Sequence, residues 1–206
     1  MKPETKKAGG RPRGFDRDAA LARAMELFWA RGYEGVSISD LAAVTGLHPP
    51  SLYSAFGDKK RLFLEAVDTY QGSEGGFMAE ALAHSGSARD VIEALLRGAV
   101  ESYTRPGAPA GCMVVLGATN CAVASQDVQD DLSARRVSGR GAIAARLARG
   151  AVDGDFTEGA DPLAIADLVT AVLHGLSIAA RDNVAADRMH AMVDAAIAAL
   201  PFSRPK

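Results

Sequence analysis

The stretch from Ser37 to Lys59 constrains the fold most, because it predicts two short helices joined by a sharp turn. Ser37 is placed to cap the first helix, and Asp40 three residues later completes a capping box. Gly46 suits a turn position with positive φ, which ends that helix. The second helix opens at His48, with two prolines in its first turn, where their missing N–H groups leave no hydrogen bond unmade.

The second helix has a face that is free for a partner. Leu52 and Phe56 lie four residues apart and anchor this helix toward the core. Ser51, Tyr53 and Ser54 therefore point outward. Two short helices in this arrangement, the second with small polar and aromatic groups on its free face, are typical of a helix-turn-helix that reads DNA.

The sequence around this motif resembles the N-terminal DNA-binding domain of the TetR/AcrR family of bacterial transcriptional repressors. The resemblance runs from Gly10 to about Val67 and includes the preceding helix, an L-Y-x-x-F pattern and the lysine that follows it. Farther along, GCMVVLGATNCA (111–122) and HGLSIAAR (174–181) look like one subgroup of that family. The resemblance implies an all-α protein with a basic flexible arm at 1–14, a three-helix DNA-binding domain at 15–67 and a larger helical effector-binding and dimerisation domain at 68–206.

DNA recognition needs phosphate contacts for affinity and base-edge contacts for sequence. Ser37 lies at a helix N-terminus that suits a phosphate, and the Tyr53 hydroxyl suits a phosphate while its ring suits a thymine methyl. Lys59 matches the phosphate-binding lysine of the family. The candidates for base edges are Pro50, Ser51 and Ser54, with His48 at the rim as a cap, a phosphate contact or a spectator. Arg11 and Arg13 either belong to a solvated tail or reach phosphates or the minor groove.

The charge is unevenly distributed over the chain. Residues 1–66 carry 11 Lys/Arg against 8 Asp/Glu, whereas residues 67–206 carry 12 against 17. This fits a nucleic-acid-reading head on an acidic trunk, although a solvated basic tail also explains much of it. Because no apolar run long enough to span a membrane and no signal peptide stands out, we expect a cytoplasmic protein without membrane contact.

Helical patterns continue to the end of the chain. The first helix is predicted from about Asp16 to Arg31, and the fourth from Asp58 to about Gln71. Five further helices are expected after Gly76, of which the third carries a series of arginines interpreted as a solvated face, with pairing to the acidic trunk as the alternative for some of them. Their expected ranges are 87–103, 113–122, 125–151, 162–183 and 187–200.

By the same resemblance, a small and mainly apolar effector enters the trunk, and the prediction includes no metal or cofactor. Each candidate lining residue has ordinary core packing as its alternative. The candidates are Phe77, Tyr103, Cys112, Met113, Leu116, Asn120 and His174.

The two cysteines form neither a disulfide framework nor a zinc site by their spacing. Cys112 follows a glycine at a helix N-terminus, where the helix dipole lowers a thiol pKa, so a repressor switched by oxidation or electrophile modification is an alternative. One helix joining Cys112 to Cys121 would separate them by ~13 Å, which excludes an internal bridge. Cys121 is expected in the core.

One short reading helix supplies too few contacts, so such proteins bind a palindromic operator as a homodimer. The last two helices are strongly apolar and are the expected dimer surface; the alternative is that they only fill the core of the protomer. The predicted interface residues are Leu168, Val172, Gly175, Leu176, Ala179, Met192, Val193 and Ile197.

Two other classes of protein compete with this interpretation. An enzyme is disfavoured because the sequence has no G-x-S-x-G, P-loop, dinucleotide fingerprint or H-E-x-x-H motif. A helical small-molecule-binding module without DNA binding is disfavoured by the intact Ser37, Tyr53 and Lys59. The sequence therefore favours a DNA-binding transcriptional repressor.

Overall fold

The structure, a computed structural model, describes residues 15–203, and Arg11 and Arg13 of the predicted arm lie outside them. Within this range, pairing of the sheet type is limited to one isolated bridge between Phe156 and Phe202. A short 3-10 helix covers Val123–Ser125. The α-helices are α1 (Arg17–Arg31), α2 (Ile38–Thr45), α3 (Pro49–Phe56), α4 (Lys59–Gly72), α5 (Phe77–Ala83), α6 (Ala88–Tyr103), α7 (Met113–Leu116), α8 (Gln126–Val152), α9 (Pro162–Arg181) and α10 (Ala186–Ala199).

Helices α1 to α4 form an N-terminal head around an aromatic core. Phe28 of α1 lies edge-on to Phe63 of α4, with ring centroids 5.1 Å apart. Leu41 of α2 and Leu52 of α3 are buried in the same core. The predicted start of α1 is confirmed, because the Asp16 carboxylate accepts hydrogen bonds from two N–H groups of the first turn.

Arg17 fixes the end of α3 against α1 and α4. Its guanidinium donates to both carboxylate oxygens of Glu65, at 2.6 and 2.8 Å. It also donates twice to the Ala55 carbonyl at 3.3 Å and lies 4.4 Å from the Phe56 ring centroid. One side chain thereby sets where the second helix of the motif ends.

Helices α5 to α10 form the trunk, with α6 at its centre. A capping box of Ser87 and Asp90 starts α6, near the predicted start of the helix expected at 87–103. Ile92, Leu95 and Leu96 are completely buried where α8, α9 and α10 pack around this helix. The short helix α5 follows the glycines at 75 and 76 and was not predicted.

The predicted helix at 113–122 is wrong beyond its first turn. Helix α7 ends at Leu116, because the next carbonyl, that of Gly117, accepts a hydrogen bond from the Tyr33 N–H at 2.7 Å instead of continuing a helix. The chain then turns into the 3-10 helix. Cys112 and Cys121 are therefore not joined by one helix, and both are free thiols.

The predicted solvated face of α8 holds only in part, because some of its arginines are buried or paired with acidic residues. Arg146 is buried and donates to the carbonyl oxygens of His84 and Gly86. Arg135 pairs with Asp131 at 2.6 Å and with Asp68 of α4 at 2.7 Å. These side chains tie α8 to its neighbours.

Hydrogen bonds join the head to the trunk at the C-terminal end of α1. The Trp29 indole N–H donates to the Gly111 carbonyl at 2.8 Å. Arg181 at the end of α9 donates to the carbonyls of Trp29 and Ala30. Trp29 is buried in this junction, so it packs in the core and does not present a surface for stacking on nucleic acid.

Helix α9 is long and apolar enough, by length and composition, to cross a membrane, which differs from the expectation that no such run exists. In the fold it is a packed trunk helix. Ile165, Val169 and Leu173 are buried on one side of α9. These apolar residues of α9 therefore serve the packing of the trunk.

Candidate nucleic-acid interface and trunk cavity

The N-terminus of α2 is closed by the predicted capping box. The Ser37 hydroxyl accepts from the Asp40 N–H at 3.1 Å, and the Asp40 carboxylate accepts from the Ser37 N–H at 2.8 Å. The hydrogen bonds from Ser37 lower the pKa of Asp40. Because these groups satisfy each other and the Ser39 hydroxyl is hydrogen-bonded to the Ser37 hydroxyl, the donors left for a phosphate are the backbone N–H groups of Ile38 and Ser39. Gly46 has the predicted left-handed conformation, with φ of 72°.

Helix α3 presents the predicted outer face. Leu52 and Phe56 are buried, whereas Ser51 and Ser54 are exposed and Tyr53 is 49% exposed. His48 and Pro50 are exposed at the N-terminal end, and the His48 side chain makes no capping hydrogen bond. The face is thus shaped by small hydroxyl groups around one projecting phenol, with its backbone held from behind by the head core.

Lys59 lies near this face but not in open solvent. Its ammonium group sits 4.2 Å from the ring centroid of Tyr33, and burial lowers the pKa of the amine. Tyr53 and Lys59 border the same shallow notch between α3 and α4. A phosphate contact by Lys59 requires its ammonium to leave the Tyr33 ring, which costs about 0.5–1 kcal/mol.

The trunk holds a cavity of about 370 Å³, a size that suits a small organic molecule. Its apolar wall includes Phe77, Met78, Ile143 and Leu173. Tyr70 and Gln71 of α4 form the wall on the side of the head. The cavity therefore borders α4, the helix that begins beside the exposed face of α3, which we call the reading face.

Several polar side chains also line the cavity. The Tyr70 hydroxyl is buried without a hydrogen-bond partner among the described residues. Burial, with Cys112 beside it, raises the pKa of Tyr70, and the same causes raise that of Tyr103. Burial, and then the positive charge of Arg136, lower the pKa of His174. The imidazole therefore tends to remain neutral.

Comparison with known proteins identifies the family of this chain. The sequence profile of bacterial regulatory proteins, tetR family, matches residues 20–66. The transcriptional repressor ComR of Escherichia coli K12 is 30% identical over 185 residues, covering 89% of this chain and 88% of ComR. The repressor BdcR of the same organism is 36% identical over 108 residues, covering 52% of this chain and 55% of BdcR. The chain belongs to the TetR family of bacterial regulatory proteins.

A solved structure is similar along almost the whole chain. The TetR family regulator CifR, as a cysteine mutant in complex with 26-bp double-strand operator DNA, is 43% identical with a TM-score of 0.89. The match covers 93% of this chain and 100% of the CifR chain. The all-α fold and the function as a DNA-binding transcriptional regulator, both predicted from the sequence, are confirmed.

The structure brings together four of the seven side chains predicted for the TetR-family effector site. Phe77, Tyr103, Cys112 and His174 line the trunk cavity. The other three do not: Met113 is completely buried in the core, Leu116 is half-buried beside it, and Asn120 is exposed in the turn after α7. Asn120 lies outside α7 because that helix ends at Leu116.

The predicted dimer residues fall on two sides of α9 and α10. Leu176, Val193 and Ile197 are buried in the core of the protomer, where they fill the trunk. Val172 and Ala179 are half-buried, and the remaining three are exposed. Those exposed residues are Leu168, Gly175 and Met192.

Sequence reasoning missed Ser39 at the interface and Tyr70 and Arg136 at the cavity. A signal for Arg136 was present, because it lies four residues after Leu132 and seven before Ile143, both of which are buried. This spacing places Arg136 toward the buried side of α8. Tyr70 carried no such signal, since an aromatic residue near the end of an amphipathic helix is usually core.

Proposed function

We propose that this TetR-family protein is a homodimeric repressor that binds a palindromic operator and releases it when a small molecule occupies the trunk cavity. One observation carries the proposal: Lys59 begins α4 beside the reading face, and Tyr70 and Gln71 in the last turns of α4 line the cavity. A molecule in the cavity therefore contacts the helix that positions the head. It shifts DNA affinity only to the extent that it binds the two arrangements of α4 differently.

The DNA contacts of this proposal come from both ends of the motif. Ser51, Tyr53 and Ser54 meet the major groove, with His48 and Pro50 at its edge. Ser37 positions the α2 N-terminus so that the free N–H groups there donate to a phosphate, and Lys59 supplies a second phosphate contact. The operator complex of CifR supports this arrangement, because that similar chain binds duplex DNA.

The homodimer of this proposal uses the outer faces of α9 and α10. Leu168, Gly175 and Ile178 of α9 lie on one side of that helix and are exposed, together with Ala171 between them. Met192 of α10 is 43% exposed on the neighbouring helix. Two adjacent apolar helix faces in each protomer suit a four-helix contact, and the small residues allow close approach.

We also propose the division into an arm at 1–14, a reading domain at 15–67 and an effector and dimerisation domain at 68–206. The protein then acts as a binding regulator, without catalysing a reaction, in the cytoplasm, where the bacterial chromosome lies. The reading domain is supported by the family profile, which matches residues 20–66. The hydrogen bonds of Trp29 and Arg181 support a junction that transmits motion between them.

A second candidate for the input is chemical modification of Cys112. Its side chain lines the cavity beside Tyr70 and Tyr103 and is 8% exposed, so a reagent reaches it through the cavity. Peroxide would convert the thiol to a sulfenic acid with release of water, whereas a carbon electrophile would form a thioether. Operator binding that is lost on oxidation in the wild type and retained in Cys112→Ser supports this candidate; equal responses exclude it.

The effector site is tested by filling the cavity without a ligand. Gly139 of α8 lines the cavity, and a Cβ there would lie 3.5 Å from the Met78 sulfur, which is an ordinary contact. We expect Gly139→Phe to occupy the cavity and weaken operator binding. Gly141→Phe is the matched control, because Gly141 lies on the same helix and its Cβ would meet open space. Equal operator affinity in both variants, with unchanged thermal stability, would contradict the proposal.

A further inference from the structure

Three arginines line the cavity, and among residues 15–203 no carboxylate does. The arginines are Arg135, Arg136 and Arg140 of α8. Arg135 is neutralised by Asp131 and Asp68, and Arg140 lies 3.3 Å from the Asp167 carboxylate. Two of the three charges are therefore compensated outside the cavity.

Arg136 is the exception within residues 15–203. Its guanidinium donates to the Val114 carbonyl at 2.9 Å, and no described carboxylate lies within 4.0 Å of it. A guanidinium has five N–H donors and keeps its charge in proteins, so most of its donors have no partner. A half-buried cation without a counter-charge is unfavourable until an anion approaches it.

A second donor without a partner borders the same space. Tyr70 is 1% exposed, and its hydroxyl lies beside the Cys112 thiol without a hydrogen bond of good geometry to a described residue. The remaining surface is mostly apolar, with Phe77, Ile143 and Leu173 among its members. The cavity thus offers hydrogen-bond donors and one uncompensated positive charge, that of Arg136, beside an apolar space.

We infer that the molecule held in this cavity is a small organic anion, whose negatively charged group binds Arg136 and the Tyr70 hydroxyl while its apolar body fills the rest. Charge complementarity carries this assignment, because a neutral or cationic guest leaves Arg136 uncompensated. The link from binding to DNA release rests on the proposed function. The binding itself does not, and it is measured separately.

The chain contains one tryptophan, which serves as the reporter. The ring centroid of Trp29 lies 4.9 Å from that of Tyr70, so an anion at Tyr70 alters the Trp29 emission. The probes are two matched sets with the same apolar bodies: phenylacetate, methyl phenylacetate and phenethylamine, and hexanoate, methyl hexanoate and hexylamine. Each is titrated into the full-length protein without DNA, and operator binding is measured by anisotropy in parallel.

We expect at least one carboxylate to bind about tenfold or more tightly than its methyl ester and amine, as a charge-assisted hydrogen bond predicts. Arg136→Gln should remove this preference while leaving ester binding intact, Arg136→Lys should keep part of it, and Tyr70→Phe should reduce it. Arg140→Gln, which removes a compensated arginine at the same cavity, is the control and should keep the preference.

Binding of esters or amines as tightly as the acids, or no saturable response to either carboxylate, would overturn the inference. An equal loss of the preference for carboxylates in Arg140→Gln and in Arg136→Gln would also overturn the inference. If the carboxylates bind but operator affinity does not change, the inference on the cavity stands and the proposed release mechanism fails. The two claims therefore fail in different measurements.

Discussion

Replacing Arg17 tests whether one side chain holds the reading helix in place. Its two bonds to Glu65 join residues whose side chains are 28% and 36% exposed, so we assign this pair about 1 kcal/mol. The donors to the Ala55 carbonyl contribute about 1 kcal/mol, and the Phe56 ring contact about 0.5–1 kcal/mol. Arg17→Ala should therefore lower the free energy of unfolding of the head by about 2–3 kcal/mol.

The assay is urea unfolding of the full-length chain, followed by the emission of Trp29, which lies on the same helix as Arg17. A double-mutant cycle with Glu65→Ala isolates the ion pair, for which we expect a coupling energy of about 1 kcal/mol. The matched control is Arg23→Ala, because Arg23 is exposed on α1. Operator affinity should also fall in Arg17→Ala, because its contacts set the end of α3.

Equal destabilisation of the head by Arg17→Ala and Arg23→Ala would refute the role assigned to Arg17. If Arg17→Ala lowers the free energy of unfolding strongly but the coupling energy with Glu65 is near zero, the stabilisation comes from the contacts of Arg17 with the Ala55 carbonyl and the Phe56 ring. Unchanged operator affinity despite the loss of stability would show that α3 keeps its position without this clamp.

Three further predictions concern charge, pH and assembly. Lys59→Ala should weaken binding to all duplexes and reduce the salt slope by about one per protomer, and an unchanged slope excludes a phosphate contact. Because the pKa of His174 is depressed in the folded state, the free energy of unfolding should fall as pH drops below about 6.5, and His174→Gln should remove that component in urea titrations. Ile178→Glu should convert the dimer to a monomer in analytical ultracentrifugation and weaken operator binding, whereas a persistent dimer contradicts the assigned surface.

The head was predictable because its signals are local. The capping box of Ser37 and Asp40, the left-handed Gly46 and the four-residue spacing of Leu52 and Phe56 are all set within one or two turns. Each of these features appears in the structure as the sequence predicted. The prolines at the start of α3 act in the same local way.

The trunk was less predictable because long-range contacts override local patterns there. Residues 113–122 have helical composition, yet the hydrogen bond from Tyr33 to Gly117 ends α7 after one turn. Arg136 resembled its neighbours in an arginine-rich helix, and only the packing of α7, α8 and α9 shows that it faces a cavity. Its role depends on where Asp131, Asp68 and Asp167 lie, which the sequence does not reveal.

The most direct test of the central claim is an anisotropy titration with a labelled duplex from the region upstream of the protein's own gene. A scrambled duplex of equal length is titrated at the same salt concentration, together with a Tyr53→Ala variant. The account predicts specific binding by two protomers per duplex, lost in Tyr53→Ala although the variant folds and dimerises. Equal affinity for the scrambled duplex, or undiminished specific binding by Tyr53→Ala, would contradict it.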